Sequence, residues 1–151
     1  MAILNVLIKS LLINLVAFGL LVVIANAQPS KKFTYKIDKR KISFVTPAVD
    51  LPAGKIVVSG EVKGVDVSGG NNGCYTLTVT TYRLTPNGEK IPVRSRSKTV
   101  CKVDRLPEIV IDRIPNGKYL VEVLIDRPLI GDGKFEGELN IAVQPEKINL
   151  R

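Results

Sequence analysis

The feature that most constrains this chain is an alternation of apolar and polar residues that restarts several times between Gly/Pro/Asn clusters. Phe33, Tyr35 and Ile37 alternate with Thr34, Lys36 and Asp38, and Ile56, Val58 and Val62 with Lys55, Ser59 and Glu61. Tyr75, Leu77 and Val79 alternate with Thr76, Thr78 and Thr80. Tyr119, Val121 and Val123 keep the same rhythm, as do Phe135, Leu139, Ile141 and Val143 against Glu136, Glu138 and Asn140. Successive side chains of a strand point to opposite faces, so a period of two buries one face and wets the other. Pro52-Ala53-Gly54, residues 68–73, Pro86-Asn87-Gly88, Pro115-Asn116-Gly117 and Gly131-Asp132-Gly133 punctuate the runs. Short strands with this punctuation fold as an antiparallel sandwich or barrel. No helical period is visible, which argues against a parallel α/β sheet.

The N-terminus has a different character. Lys9 precedes an apolar stretch over residues 11–24, and Ala25-Asn26-Ala27 supplies small residues where a signal peptidase reads them. This is the pattern of a secretory signal peptide spanning residues 1–27, with an uncleaved anchor as the alternative. The expected organisation is then a basic N-terminal segment at 28–40, one all-β domain at 41–144 and a short tail at 145–151. Destination is extracellular or periplasmic, with no stable membrane insertion after cleavage.

Charge and absences narrow the function classes. The chain carries a formal net charge of +8 and contains no His. Without His, Ser-His-Asp and Cys-His nucleophiles and nearly all zinc and copper sites are excluded. No carboxylate pair or nucleophile motif stands out, so the expectation is a non-enzyme without cofactor or metal. The positive excess sits in two places. Lys31, Lys32, Lys36, Lys39, Arg40 and Lys41 crowd the first, and Arg83, Lys90, Arg94, Arg96, Lys98 and Lys102 the second. Two basic patches suit an anionic partner, and they also simply keep a protein soluble.

Two Cys in a secreted chain are expected to pair, with free or intermolecular thiols as the alternative. Read as a two-residue hairpin turn, Asn87-Gly88 makes Pro86 face Glu89, and counting outward sets Cys74 opposite Cys101. Directly opposed antiparallel residues lie within disulfide reach. The same register puts Arg94, Arg96 and Lys98 on the face of Tyr75, Leu77 and Val79. A core face does not carry three cations. Either a bulge flips part of the strand, or the strand is an edge running past the core.

The run Ile114-Pro115-Asn116-Gly117-Lys118-Tyr119-Leu120-Val121-Glu122-Val123 resembles the turn into strand F of fibronectin type III and related immunoglobulin-like domains. The resemblance implies an antiparallel β-sandwich of about seven strands. It makes Tyr119 a tyrosine-corner residue, with its hydroxyl bonding back to nearby backbone. It also implies strand A near 41–45, B at 55–63, C at 75–84, C′ at 89–100, E at 108–112, F at 118–125 and G at 134–143.

Three features are candidates for function. Arg94, Arg96 and Lys98 present alternate cations that suit a polyanion, or else protect an open sheet edge from association. Leu129 and Ile130 lie in a Gly/Pro loop, where apolar residues mark a contact site or cap the core. Residues 33–37 form an extra strand of the domain, or one donated to a neighbour. The expectation is a secreted, non-enzymatic binding or extracellular-matrix module that recognises a protein or an anionic polymer. Alternatives are a subunit polymerising by strand donation and a secreted protease inhibitor. Nucleic acid is not an expected partner, because no aromatic residues interleave the basic strand.

Overall fold

The computed structural model describes residues 29–67 and 74–145. The signal-peptide expectation, the glycine-rich turn at 68–73 and the tail beyond Pro145 lie outside the described residues. The elements are β1 (Ser30–Asp38), β2 (Ser43–Val45), β3 (Val49–Leu51), β4 (Gly54–Val65), β5 (Tyr75–Leu84), β6 (Lys90–Val100), β7 (Val103–Arg105), β8 (Ile109–Ile114), β9 (Gly117–Ile125) and β10 (Lys134–Pro145).

These strands form two sheets. One has the order β1-β10-β4-β7, with β8 also pairing β4; the other runs β2-β9-β5-β6, with β3 also pairing β9. Each strand pairing is antiparallel. The fold is therefore an all-β sandwich, with ten strands among the described residues rather than about seven. The surplus comes from short strands at breaks. Pro47 separates β2 from β3, and both lie along β9. Thr46 bridges that break: its amide donates to the Val121 carbonyl at 2.9 Å, and its Oγ1 accepts from the Val121 amide at 3.0 Å.

The core is the alternation read from the sequence. Tyr35, Ile37, Ile56, Val58, Val62, Phe135, Leu139, Ile141 and Val143 project from one sheet. Tyr75, Leu77, Val79, Tyr119, Val121, Val123 and Ile125 meet them from the other. The chain has no Trp. Two of its largest fully buried side chains, Tyr75 and Phe135, meet edge-on with centroids 5.6 Å apart, a favourable geometry for aromatic quadrupoles.

Two assignments change. Strand G of an immunoglobulin domain lies beside F, whereas β10 pairs with β1 and β4 in the sheet opposite β9. The last strand is consequently shared between an N-terminal edge and the body of the fold. The second change concerns residues 28–40, set apart above as a basic segment. β1 pairs with β10 from Ser30↔Ala142 to Asp38↔Lys134, and it buries Tyr35 and Ile37 in the core. These residues form the edge strand of their own sheet, in place of a separate segment. Gly137 makes the fit possible. A Cβ there would run into the Glu61 carbonyl oxygen, the atom to which the Tyr35 hydroxyl donates at 3.0 Å.

Candidate functional site

The β5–β6 hairpin carries the candidate cations, and its register decides where they point. The turn holds three residues rather than two. Thr85 donates its amide to the Glu89 carbonyl at 2.9 Å, and Gly88 donates to the Thr85 carbonyl at 2.9 Å. Gly88 takes a φ of 82°, a left-handed conformation that glycine adopts without a Cβ clash. This loop shifts the pairing by one residue, giving Leu84↔Lys90 and Tyr82↔Pro92. A bulge then shifts it back: Val93 is skipped, Thr81 faces Arg94, and the ladder runs on to Tyr75↔Val100. A single one-residue slip would have sent the two cysteines to opposite faces. The two slips cancel, and Cys74 and Cys101 are bonded with Cα atoms 3.9 Å apart.

Beyond the bulge, Arg94, Arg96 and Lys98 face Thr81, Val79 and Leu77, three residues buried in the core. The cations are nevertheless exposed. Every residue of β6 from Lys90 to Thr99 is exposed, and only Val100 is buried. The strand therefore runs past the core as an open edge; the bulge lies on the turn side of the cations and leaves their orientation unchanged. On the outer face, Thr78 and Ser97 share a hydroxyl hydrogen bond of 2.8 Å, and Thr80 and Ser95 one of 2.9 Å.

The three cations are not equivalent. Lys98 Nζ lies 2.6 Å from Asp104 Oδ1 and 3.3 Å from the Arg105 carbonyl oxygen. It thereby ties β6 to β7 in the opposite sheet. That hydrogen bond, with one from the Arg105 amide, holds the Asp104 carboxyl below its ordinary pKa. Arg94 and Arg96 have no ion pair among the described residues. The sequence pattern does not single out Asp104, because its role depends on β7 joining the sheet opposite β6. Ile91 and Val93, 47% and 41% exposed, add apolar surface to the turn end of the same strand.

The first basic patch has a different fate. Lys32 pairs with Glu138 at 3.1 Å, Lys36 with Asp38 at 3.7 Å and Lys39 with Asp132 at 2.9 Å. Lys41 lies over the Phe44 ring at 5.7 Å.

The remaining candidates separate. Tyr119 is buried, and its hydroxyl donates to the Pro115 carbonyl at 2.8 Å. Leu129 is 4% exposed and turns into the core, whereas Ile130 is 59% exposed. At the disulfide end, Arg127 stacks 4.8 Å from the Tyr75 ring centroid and donates to the Cys74 carbonyl at 2.8 Å.

No protein-family model matches the sequence, and no curated protein matches it. Among solved structures it is similar to the CBM22-1 xylan-binding domain from Paenibacillus barcinonensis Xyn10C, at 17% identity and a TM-score of 0.48 over 78% of this chain and 73% of that one. It is also similar to a CBM4 structure, at 8% identity and a TM-score of 0.49 over 72% of this chain and 64% of that one. A third is the infectious bursal disease virus VP2 subviral particle, at 11% identity and a TM-score of 0.48 over 82% of this chain and 35% of that one.

Proposed function

We propose that the chain is a secreted, non-enzymatic binding module whose β6 strand holds an anionic extracellular polymer through Arg94 and Arg96. The observation that carries this reading is a contrast in compensation. The N-terminal lysines Lys32, Lys36 and Lys39 face carboxylates of their own chain. Arg94 and Arg96 face none among the described residues, on a strand exposed on both faces. Same-face residues repeat about every 6.8 Å along a strand, so the two guanidiniums offer a spaced pair of forks for carboxylate, sulfate or phosphate. They are held on a hydrogen-bonded strand, so little ordering is needed to bind.

The test is retention on immobilised heparin and immobilised polyglutamate at two salt concentrations. Retention should fall steeply with salt, because exposed ionic contacts are screened within about 8 to 10 Å. Replacing Arg94 and Arg96 with Ser should abolish it at moderate salt. Replacing Lys31 and Lys32 should matter less. Equal retention by the double mutant removes β6 as the site.

A further inference from the structure

The structure assigns β6 a more specific partner: an extended acidic polypeptide that joins the sheet as a further strand beside β6. The inference rests on the reading of β6 as an anion site and names the class of anion. Among the described residues β6 pairs with β5 alone, so its other edge carries backbone groups with no strand partner there. Such an edge is a template for strand addition. Side chains approach most closely across pairs that do not exchange backbone hydrogen bonds. The hydroxyl contacts Thr78–Ser97 and Thr80–Ser95 mark such pairs. In an antiparallel ladder these are the residues whose amides and carbonyls turn away from the neighbour. Ser95, Ser97 and Thr99 therefore direct their backbone groups to the open side. Pro92 pairs with Tyr82, in step with the same set across the bulge, and lacks an amide to offer. The usable edge is thus the half of β6 that carries Arg94 and Arg96.

A strand docked there places alternate side chains beside Arg94 and Arg96 on one face. Glutamates at those positions meet unpaired guanidiniums, while Ile91 and Val93 offer apolar contact toward the turn. The same cations repel a second copy, whose β6 is equally basic. One charge pattern thus excludes self-association and selects an acidic partner, which is discrimination by a difference of affinities. A flexible polysaccharide would use the guanidiniums but leave the backbone edge idle.

The experiment uses the mature protein, a peptide of alternating Glu and Thr about as long as β6, and two twins of it. One twin is N-methylated at its glutamates and the other at its threonines. Charge is the same in all three, but each twin blocks one backbone edge. The unmodified peptide should bind and slow hydrogen exchange at the amides of Ser95, Ser97 and Thr99. One twin should lose affinity on the order of tenfold, the loss of two hydrogen bonds, while the other keeps it. Equal affinity of the twins, or unchanged exchange at those three amides, overturns strand addition. If heparin fragments still bind wild type and fail on the Arg94→Ser/Arg96→Ser protein, the anion site stands without it. If neither peptide nor heparin binds, both readings fall.

Discussion

The two outermost long strands, β1 and β6, are both basic in sequence and meet different ends in the fold. β1 alternates cleanly: Tyr35 and Ile37 go inward, and outside Lys32 pairs with Glu138 of β10 and Lys36 with Asp38. β6 also alternates, but its cations take the inward parity and its serines the outward one. The opposite sheet does not extend beneath most of β6, so inward on that strand still means solvent. A run of positive residues is therefore not in itself a binding surface. What distinguishes the strands is whether the fold supplies the counter-charge. β1 shares its sheet with Glu138, whereas Arg94 and Arg96 stand over the apolar side of theirs, where the Asp104 carboxylate pairs with Lys98 instead.

The contrast breaks first on stability. Tyr35→Ala should cost about 3 to 5 kcal/mol, the range for deleting a buried aromatic ring. Tyr35→Phe should cost about 1 kcal/mol for the bond to the Glu61 carbonyl. Urea melts of both variants check this. A Tyr35→Ala protein as stable as wild type would mean that β1 is not part of the cooperative unit. Breaking the Cys74–Cys101 bond by double Ser replacement should cost about 3 kcal/mol, from the freed loop of the unfolded chain. That variant also sharpens the comparison, since the bond closes the end of β6 where the strand becomes buried, at Val100. Replacing Arg94 and Arg96 with Ser should move stability by no more than about 0.5 kcal/mol, as exposed changes usually do. A large loss there would make the two arginines structural and leave the anion site without support.

Most of the sandwich was legible because its core is written at period two. The strands at 55–63, 75–84 and 118–125 lie within β4, β5 and β9, since burial on one face leaves little freedom of register. The placement of β10 was not legible. Glu136, Glu138 and Asn140 on its outer face suit either sheet, and only the pairing with β1 and β4 chooses between them. The Cys74–Cys101 bond was reached through a turn that the chain does not make. A three-residue loop and the Val93 bulge are each invisible to alternation, and their errors cancel. For the site, the cations and their parity were readable. That Lys98 is spent on Asp104 while Arg94 and Arg96 are not depends on where β7 lands, a long-range fact that local spacing does not encode.

The smallest expected effect tests that last division. Lys98 donates to Asp104, and the Asp104 carboxyl is held below its ordinary pKa first by that bond and then by the Arg105 amide. A carboxyl with a folded pKa below its unfolded value stabilises the fold above the unfolded value, about 3.9 for Asp. The contribution is lost as pH falls through the lowered folded value. Asp104→Asn should therefore be slightly less stable than wild type at neutral pH. The difference in denaturation midpoint should shrink below about pH 4, where the wild-type carboxyl also begins to lose its charge. Both groups are partly exposed, so added salt should shrink the neutral-pH difference as well. Arg94→Ser should show neither dependence, because Arg94 has no carboxylate partner among the described residues. If it matches Asp104→Asn in both pH and salt response, Arg94 has a counter-charge in solution, and the distinction between the cation tied to β7 and the two left open disappears.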